Sequence, residues 1–138
     1  MWRAWLTKWR SLFFKEEKRT SRQLRGTLGE DYAVKFLRRA GMKILLRNWR
    51  SGRDEVDIVA LEDACLVFAE VKTRSENDLR GGYAAVDARK RRAQRRAIRA
   101  YLNALRERPS AHRFDIVEVV LAPDDSLVRV VHHRRISL

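Results

Sequence analysis

Two short apolar stretches of the chain carry charged side chains at alternate positions, and these residues have the types that could support chemistry. Glu55 and Asp57 lie in the first stretch, and Glu70 and Lys72 lie in the second. Side chains two positions apart on a strand point to the same face. The apolar residues expected on the same faces are Val59, Leu61, Leu66 and Phe68. Buried charges are costly unless they are paired or bind a metal, so this pattern predicts a functional site.

The register of the two predicted strands decides which acids meet. If positions 62–65 form a four-residue hairpin loop, Asp57 lies opposite Glu70, whereas a two-residue loop places Glu55 opposite Glu70. Opposite residues in an antiparallel pair lie about 4.5–5.5 Å apart, so facing carboxylates repel unless a cation lies between them. Carboxylate oxygens suit Mg²⁺ or Mn²⁺. Either register therefore gathers acids around Glu70 and favours a divalent-metal site.

The net charge of the chain indicates a polyanionic partner. Its 138 residues include 31 Lys and Arg against 18 Asp and Glu, which gives +13. A charge of this size favours nucleic acid or an anionic membrane surface over a protein that is merely basic. The single cysteine, Cys65, cannot form an internal disulfide, and no stretch approaches the length of a transmembrane helix. We therefore expect a cytoplasmic protein.

The hydrophobic pattern predicts an α/β domain over residues 21–138 with elements in the order αβββαββ. The first helix carries small residues on its buried stripe, which allows a close approach to another element, and Gly41 follows its end. A polar loop over 75–82 precedes the second helix. The predicted elements are helices over 22–40 and 84–107, strands over 44–50, 113–121 and 126–133, and the two charged stretches.

Residues 1–20 form a separate N-terminal extension with a basic amphipathic pattern. Trp2, Trp5 and Trp9 recur at helical spacing, with basic residues largely on the other face. Such a helix could lie on a membrane surface or dock on a partner. The alternatives are that it packs on its own domain or is a dispensable extension. The pattern alone does not choose between these interpretations.

The second predicted helix is rich in arginine. Its buried stripe is expected to contain Val86, Ala93, Ala97, Ala100, Tyr101 and Ala104. Lys90 interrupts this stripe, either with its stem buried and its charge in solvent or with a functional role. Basic side chains on such a helix can hold phosphates without reading sequence. The candidate nucleic-acid-binding residues are Arg89, Lys90, Arg92, Arg95, Arg96 and Arg99.

With these elements in order, residues 22–133 resemble the PD-(D/E)xK nuclease superfamily, and more specifically the YraN family of endonuclease-like bacterial proteins related to Holliday-junction resolvases. The resemblance rests on Gly29-Glu30, on Arg47-Asn48, on the two charged stretches and on positions 113–117. The chain departs from the family at Asp54, where glycine is usual, and in its C-terminal residues 134–138. The resemblance implies a restriction-endonuclease-like core, with a mixed central sheet flanked by helices.

The resemblance also implies a role for each charged residue. Asp57, Glu70 and the Val71 carbonyl would hold Mg²⁺ or Mn²⁺, and Lys72 would orient or activate a water molecule. Glu30 would complete the site from the first helix. Glu55 is a weaker candidate, and Asp115 would be structural or would support the site indirectly.

The leading hypothesis for function is a metal-dependent endonuclease that acts on DNA, including branched or otherwise structured DNA. The alternatives are a nucleic-acid-binding protein on a nuclease fold with little or no turnover, and a membrane-surface or interaction protein that uses residues 1–20. RNA remains open as a substrate. Analogy with junction resolvases suggests a homodimer, although the sequence shows no heptad pattern that would support one.

Overall fold

Within the described residues, seven elements follow one another in the predicted order αβββαββ. The computed structural model describes residues 19–78 and 88–138. The amphipathic pattern over 1–18, the tip of the polar loop and the start of the second predicted helix, with Val86, lie outside the described residues. The elements are α1 (Ser21–Arg39), β1 (Lys43–Ser51), β2 (Asp54–Glu62), β3 (Cys65–Ser75), α2 (Ala88–Ala104), β4 (Ala111–Leu121) and β5 (Leu127–His133).

The five strands form one mixed sheet in the order β1-β2-β3-β4-β5. β3 and β4 pair in parallel, and the other neighbours pair antiparallel. A parallel pair needs a long crossover connection, and α2 lies in the one that joins β3 to β4. The prediction of an α/β fold with a mixed sheet and flanking helices is therefore confirmed.

Helices α1 and α2 cover opposite faces of the sheet. α1 packs through Ala33 and Leu37 on a cluster that includes Val67 and Val117. α2 packs on the other cluster, whose buried side chains include Ala97, Ile98, Tyr101, Phe68, Phe114 and Ile116. Because β3 and β4 are covered on both faces, their central residues form nearly continuous apolar runs instead of alternating with polar residues.

The N-terminal half of α1 lies very close to β3. A Cβ atom on Gly29 would stand 1.9 Å from Oγ1 of Thr73, so only glycine fits at this position. The close approach predicted for the small residues of this helix is confirmed at Gly29, whereas a Cβ atom on Gly26 would have no neighbour within 4 Å. At the start of the helix, the side chains and backbone of Thr20 and Gln23 form a reciprocal capping box.

The buried stripe of α2 differs from the predicted one. Ala97 and Tyr101 are buried as expected, but Ile98 and Leu102 are buried beside them and Ala104 is exposed. The helix is rotated so that its two largest aliphatic side chains leave water, and burial free energy grows with apolar area. Lys90 is exposed and does not interrupt a buried stripe.

Strict alternation fails in β2 around Asp57. Val56 and Val59 both pack in the cluster beneath α2, whereas Ile58 packs in the cluster beneath α1. Asn48, which lies opposite Asp57 between the pairs formed by its neighbours on β1, has a positive φ of 52°. The sheet is therefore irregular at Asp57, and the face that Asp57 presents could not follow from period-2 counting alone.

Candidate active site at a fork between two strands

β2 and β3 separate beyond the pair Ile58–Ala69, where their ladder ends. β2 extends back to Asp54 and β3 continues to Ser75, so the two strands form a fork whose arms are residues 54–57 and 70–75. Leu61 pairs with Leu66, which confirms the first predicted register. The predicted four-residue loop is wrong in one detail, because its end residues pair as well and leave a two-residue turn at positions 63–64.

Asp57 lies at the point where the fork opens. Its Oδ2 accepts a hydrogen bond from the Val71 N–H at 2.8 Å. Burial raises the pKa of the half-buried Asp57 to about 7. The Val71 N–H opposes this rise, and the charges of Glu30, Glu70 and Glu55 add to it. Asp57 therefore lies within electrostatic range of three other candidate acids, Glu30, Glu70 and Glu55, but not of the fifth, Asp115.

Glu70 and Lys72 form an ion pair on the β3 arm. Lys72 Nζ lies 3.2 Å from Glu70 Oε1, and the two side chains are only 20% and 19% exposed. The second oxygen, Glu70 Oε2, is buried and has no hydrogen-bond partner among the described residues. A buried acceptor without a partner is costly, so this oxygen is available to a ligand that the chain itself does not supply.

Glu30 reaches the site from α1, on the layer opposite α2. Asn48 Nδ2 donates to Glu30 Oε2 at 3.3 Å, and Arg47 lies 3.8 Å from the same oxygen. Burial raises the pKa of Glu30 above its ordinary value, while Asn48 and Arg47 oppose the rise. The tight packing of the preceding Gly29 on Thr73 fixes how far Glu30 stands from β3.

Glu55 and Asp54 have partners at the outer end of the β2 arm. Glu55 Oε2 lies 3.2 Å from Arg50 Nη2, in a largely exposed ion pair on the β1 side. Asp54 accepts two hydrogen bonds from Arg96 of α2, at 3.0 and 2.9 Å. The Arg96 guanidinium holds the pKa of Asp54 below its usual range. Asp54, where the resembled family usually has glycine, therefore ties α2 to the fork.

The donor groups at the fork suit a hard divalent cation. Among the described residues, no three His, Cys, Asp or Glu side chains are grouped closely enough to hold a metal ion by themselves. The fork offers two carboxylates and the Val71 carbonyl, and hard cations commonly complete such oxygen sets with water. Glu70 Oε2 is buried without a hydrogen-bond partner among the described residues, and oxygen donors of this kind are those that Mg²⁺ and Mn²⁺ prefer.

The arginine-rich face of α2 is exposed as predicted. Arg96 differs from the other arginines of this face, because its bidentate pair with Asp54 holds its guanidinium against β2. The exposed basic residues of α2 are Arg89, Lys90, Arg91, Arg92, Arg95, Arg96 and Arg99. This side of the molecule is strongly positive and lies on the layer opposite α1.

Sequence reasoning missed a second charged group on β3 and β4. Glu118, which pairs with Lys72 across the parallel ladder, is buried, and its oxygens lie 3.5 Å from Arg74 Nε and 3.2 Å from His133 Nε2. The sequence carried one indication, an acid in the middle of the apolar stretch 113–121. Its partners lie far away in sequence and could not be identified from it.

The contacts of Asp115 indicate a structural role. It is fully buried and accepts hydrogen bonds from both Arg113 Nε and the Arg135 N–H, and its Oδ2 lies 2.8 Å from His132 Nε2. Burial opposes ionisation, but these donors together lower the pKa of Asp115. Its contacts join β4 to β5 and to the C-terminal residues rather than to the acids of the fork.

Comparison with known proteins gives a consistent result. A model of the family described as "Uncharacterised protein family UPF0102" matches residues 29–119. The chain belongs to the UPF0102 family. A UPF0102 protein of Porphyromonas gingivalis is 45% identical over 109 residues, covering 78% of this chain and 79% of the relative. A UPF0102 protein of Parafrankia is 43% identical over 116 residues, covering 84% of this chain and 97% of the relative.

UPF0102 membership confirms the family level of the resemblance that the sequence suggested. The matched region begins at Gly29 and ends within β4, so it spans α1 from the close contact with β3, the whole fork and α2. Within the described residues, no helix is both long enough and apolar enough to cross a membrane.

Proposed function

We propose that this UPF0102 protein is a metal-dependent endonuclease of the PD-(D/E)xK type, with a restriction-endonuclease-like core, that hydrolyses phosphodiester bonds in DNA, including branched DNA. The observation that carries the proposal is the buried, unpartnered Glu70 Oε2 beside Asp57, whose pKa is raised to about 7. The first feature is a buried acceptor without a donor, and the second arises mainly from burial, with the charges of the neighbouring acids adding to it. The ion pair with Lys72 uses only Glu70 Oε1 and leaves the second, buried oxygen without a partner, which is costly.

Asp57, Glu70 and the Val71 carbonyl would hold Mg²⁺ or Mn²⁺ at the fork. Such an ion supplies Lewis acidity toward a phosphate oxygen and lowers the pKa of a bound water. The Val71 N–H fixes one oxygen of Asp57, and Lys72 fixes one oxygen of Glu70. The remaining Glu70 Oε2 is therefore presented in a defined position without a conformational change, as metal ligands require.

Lys72 would act on the reacting phosphate. Its ammonium lies beside Glu70 and is mostly buried, so its charge is less screened than that of a surface lysine. It would orient the attacking water and offset the negative charge that develops on the phosphate. Glu30, held by Asn48, would bind a further water on the α1 side of the fork.

The exposed arginines of α2 would hold the nucleic-acid backbone. Phosphate contacts of this kind give affinity without sequence preference. Arg92 and Arg95 are better candidates than Arg96, because Arg96 is engaged with Asp54. A cytoplasmic location and a homodimer, suggested by analogy with junction resolvases, belong to the same proposal.

A second candidate function is nucleic-acid binding on a nuclease fold without turnover. It is favoured by one observation, that the fork groups only two carboxylates with a carbonyl instead of three metal-binding side chains among the described residues. In that case the acids and Lys72 would be a charge network that maintains the fork.

A cleavage assay separates the two candidates. Duplex, single-stranded, flap and four-way-junction DNA would be incubated with the full chain in Mg²⁺, in Mn²⁺ and in EDTA, and binding would be measured in EDTA in parallel. The endonuclease proposal expects metal-dependent cleavage that Asp57→Asn abolishes and Asp63→Asn, an exposed turn position, does not. Binding without cleavage of any of the four substrates in either metal would favour the second candidate.

A further inference from the structure

A groove runs between the N-terminal half of α1 and the end of β3. Its volume is about 430 Å³, and it opens beside the candidate active site, because Glu30 and Val71 form one end of its lining. Three arginines, Arg22, Arg25 and Arg74, line the rest of it together with small polar residues. The groove lies on the α1 layer, so it is separate from the arginine-rich face of α2.

Two of the three arginines have buried nitrogens without acceptors. Arg25 Nη1 lies 3.0 Å from Asp125 Oδ1, but Arg25 Nη2 is buried and has no hydrogen-bond partner among the described residues. Arg74 Nε also makes no hydrogen bond among the described residues, although it forms an ion pair with Glu118 Oε1 at 3.5 Å. Buried donors without acceptors are costly, which indicates that an anionic acceptor from outside the chain belongs here.

The chemistry of the groove favours a phosphodiester. Guanidinium groups present paired N–H donors that match phosphate oxygens, and three of them along one groove match a repeating anion better than a single small one. The N-terminus of α1 does not explain the groove, because Gln23 and Thr20 already satisfy each other's backbone N–H groups in the capping box. The first turn of α1 also contains no acid that would repel a phosphate.

We propose that this groove binds the sugar-phosphate backbone of duplex DNA through Arg22, Arg25 and Arg74 and directs it to the fork. The choice of DNA as the ligand rests on the proposed function. The groove adds the path by which the DNA strand would reach the fork. The backbone would be held on the α1 layer next to Glu30 and, independently, on the α2 layer. The fork lies between the two basic surfaces, where a phosphate held from both sides would meet Glu70 and Lys72.

A binding experiment without metal tests the groove. Arg22→Gln/Arg25→Gln would be compared with Arg38→Gln/Arg39→Gln, which removes the same charge from exposed positions at the other end of the same helix. The probe is a fluorescein-labelled DNA duplex in EDTA, titrated at several salt concentrations. Each lost phosphate contact makes the negative slope of log K against log salt shallower by about 0.9. The slope of the groove variant should therefore become shallower by about 1.8, and that of the control should change much less.

Asp125→Asn addresses the alternative that Arg25 is only a structural residue. This change breaks the Arg25–Asp125 pair but leaves all three groove arginines charged. The proposal expects DNA affinity to be kept or increased, because Arg25 is freed for phosphate. A loss of affinity equal to that of Arg22→Gln/Arg25→Gln would overturn it. Thermal melts of all variants confirm that each chain is folded when binding is measured.

The outcomes for the groove and for the nuclease proposal are distinguishable. Selective loss of binding in the groove variant supports the groove, whether or not the parent protein cleaves DNA in Mg²⁺ or Mn²⁺. Equal losses in the groove variant and its control overturn the groove, even when the parent cleaves DNA. A parent chain that does not bind the duplex in EDTA overturns the groove as well.

Discussion

The Val71 N–H donates a hydrogen bond to Asp57 Oδ2 at 2.8 Å, just beyond Ile58–Ala69, the last ladder pair of β2 and β3. A side-chain acceptor here replaces a backbone acceptor, so β3 stays tethered to β2 while the two strands separate. The same contact holds the peptide of Val71 next to the acid of Asp57. The same hydrogen bond therefore belongs both to the point where the two strands separate and to the candidate site.

Replacing Asp57 with Asn should abolish Mn²⁺ binding and cleavage while the fold is retained. The amide carbonyl can still accept the Val71 N–H, but the negative charge that attracts a cation is lost. Asp63→Asn is the matched control, because Asp63 is exposed and has a positive φ that asparagine tolerates. Titration calorimetry with Mn²⁺ measures both variants. Parent-like Mn²⁺ affinity in Asp57→Asn would remove the main support for the nuclease proposal.

The raised pKa of Asp57 predicts a pH-dependent stability. Between about pH 4 and pH 7 the folded state binds the Asp57 proton and the unfolded state does not, so the free energy of unfolding falls as pH rises through this window. Above about pH 7 the free energy of unfolding has lost the whole contribution of the Asp57 proton. This loss is less than about 4 kcal/mol, because Asp57 keeps partial contact with solvent. Urea unfolding at a series of pH values, without metal, should show a flatter profile for Asp57→Asn. Identical profiles for parent and variant would contradict the prediction.

Lys72→Met should impair the chemical step rather than metal binding. Removing the ammonium frees Glu70 Oε1, so Mn²⁺ affinity should be kept or increased. Cleavage should fall about 10²-fold or more, the usual loss when one charge-stabilising group is removed. Lys43→Met, at an exposed position of β1, controls for the loss of one lysine. Calorimetry and single-turnover cleavage are measured on the same preparations, and loss of Mn²⁺ binding in Lys72→Met would show that the prediction is wrong.

Arg92→Gln/Arg95→Gln should weaken binding to all DNA sequences. Both side chains are exposed on α2, and Arg96 is left unchanged because its loss would also break the pair with Asp54. The slope of log K against log salt should fall by about 1.8, one contact for each arginine. The test is anisotropy with two unrelated duplexes, with Arg38→Gln/Arg39→Gln as the control. An unchanged slope would place the main phosphate contacts elsewhere.

Gly29→Ala should destabilise the protein by about 1–3 kcal/mol, because the added methyl group overlaps Thr73 Oγ1. Gly26→Ala, one turn earlier, should be neutral or stabilise by about 0.4–1 kcal/mol, since no atom lies within 4 Å of the new Cβ. Adding Thr73→Ala to Gly29→Ala should recover part of the loss. Urea unfolding of the parent, Gly29→Ala, Thr73→Ala and the double variant gives the coupling free energy, and strict additivity would show that the two residues do not meet.

Local pattern was sufficient to predict the elements and one strand register. The spacing of apolar residues and the position of Gly41 gave the helix and strand order, which the structure confirms to within a few residues at the described ends. Counting from the hairpin turn gave the pairing of Leu61 with Leu66 as one of two registers. Both inferences depend on residues close together in the chain, where side-chain period and turn length constrain the geometry.

By itself, then, the sequence determined the αβββαββ order and the strongly basic charge, and it indicated Glu70 and its neighbouring acids as candidate site residues. Only the tertiary structure decided the rotation of α2, the pairing of Arg96 with Asp54, the burial of Glu118 and the groove between α1 and β3. The physical reason is that a hydrophobic period shows that a helix or strand has an apolar face. It does not show how far the element is rotated about its axis or which other element that face packs against. Those depend on which large side chains fill the space between elements that are distant in sequence.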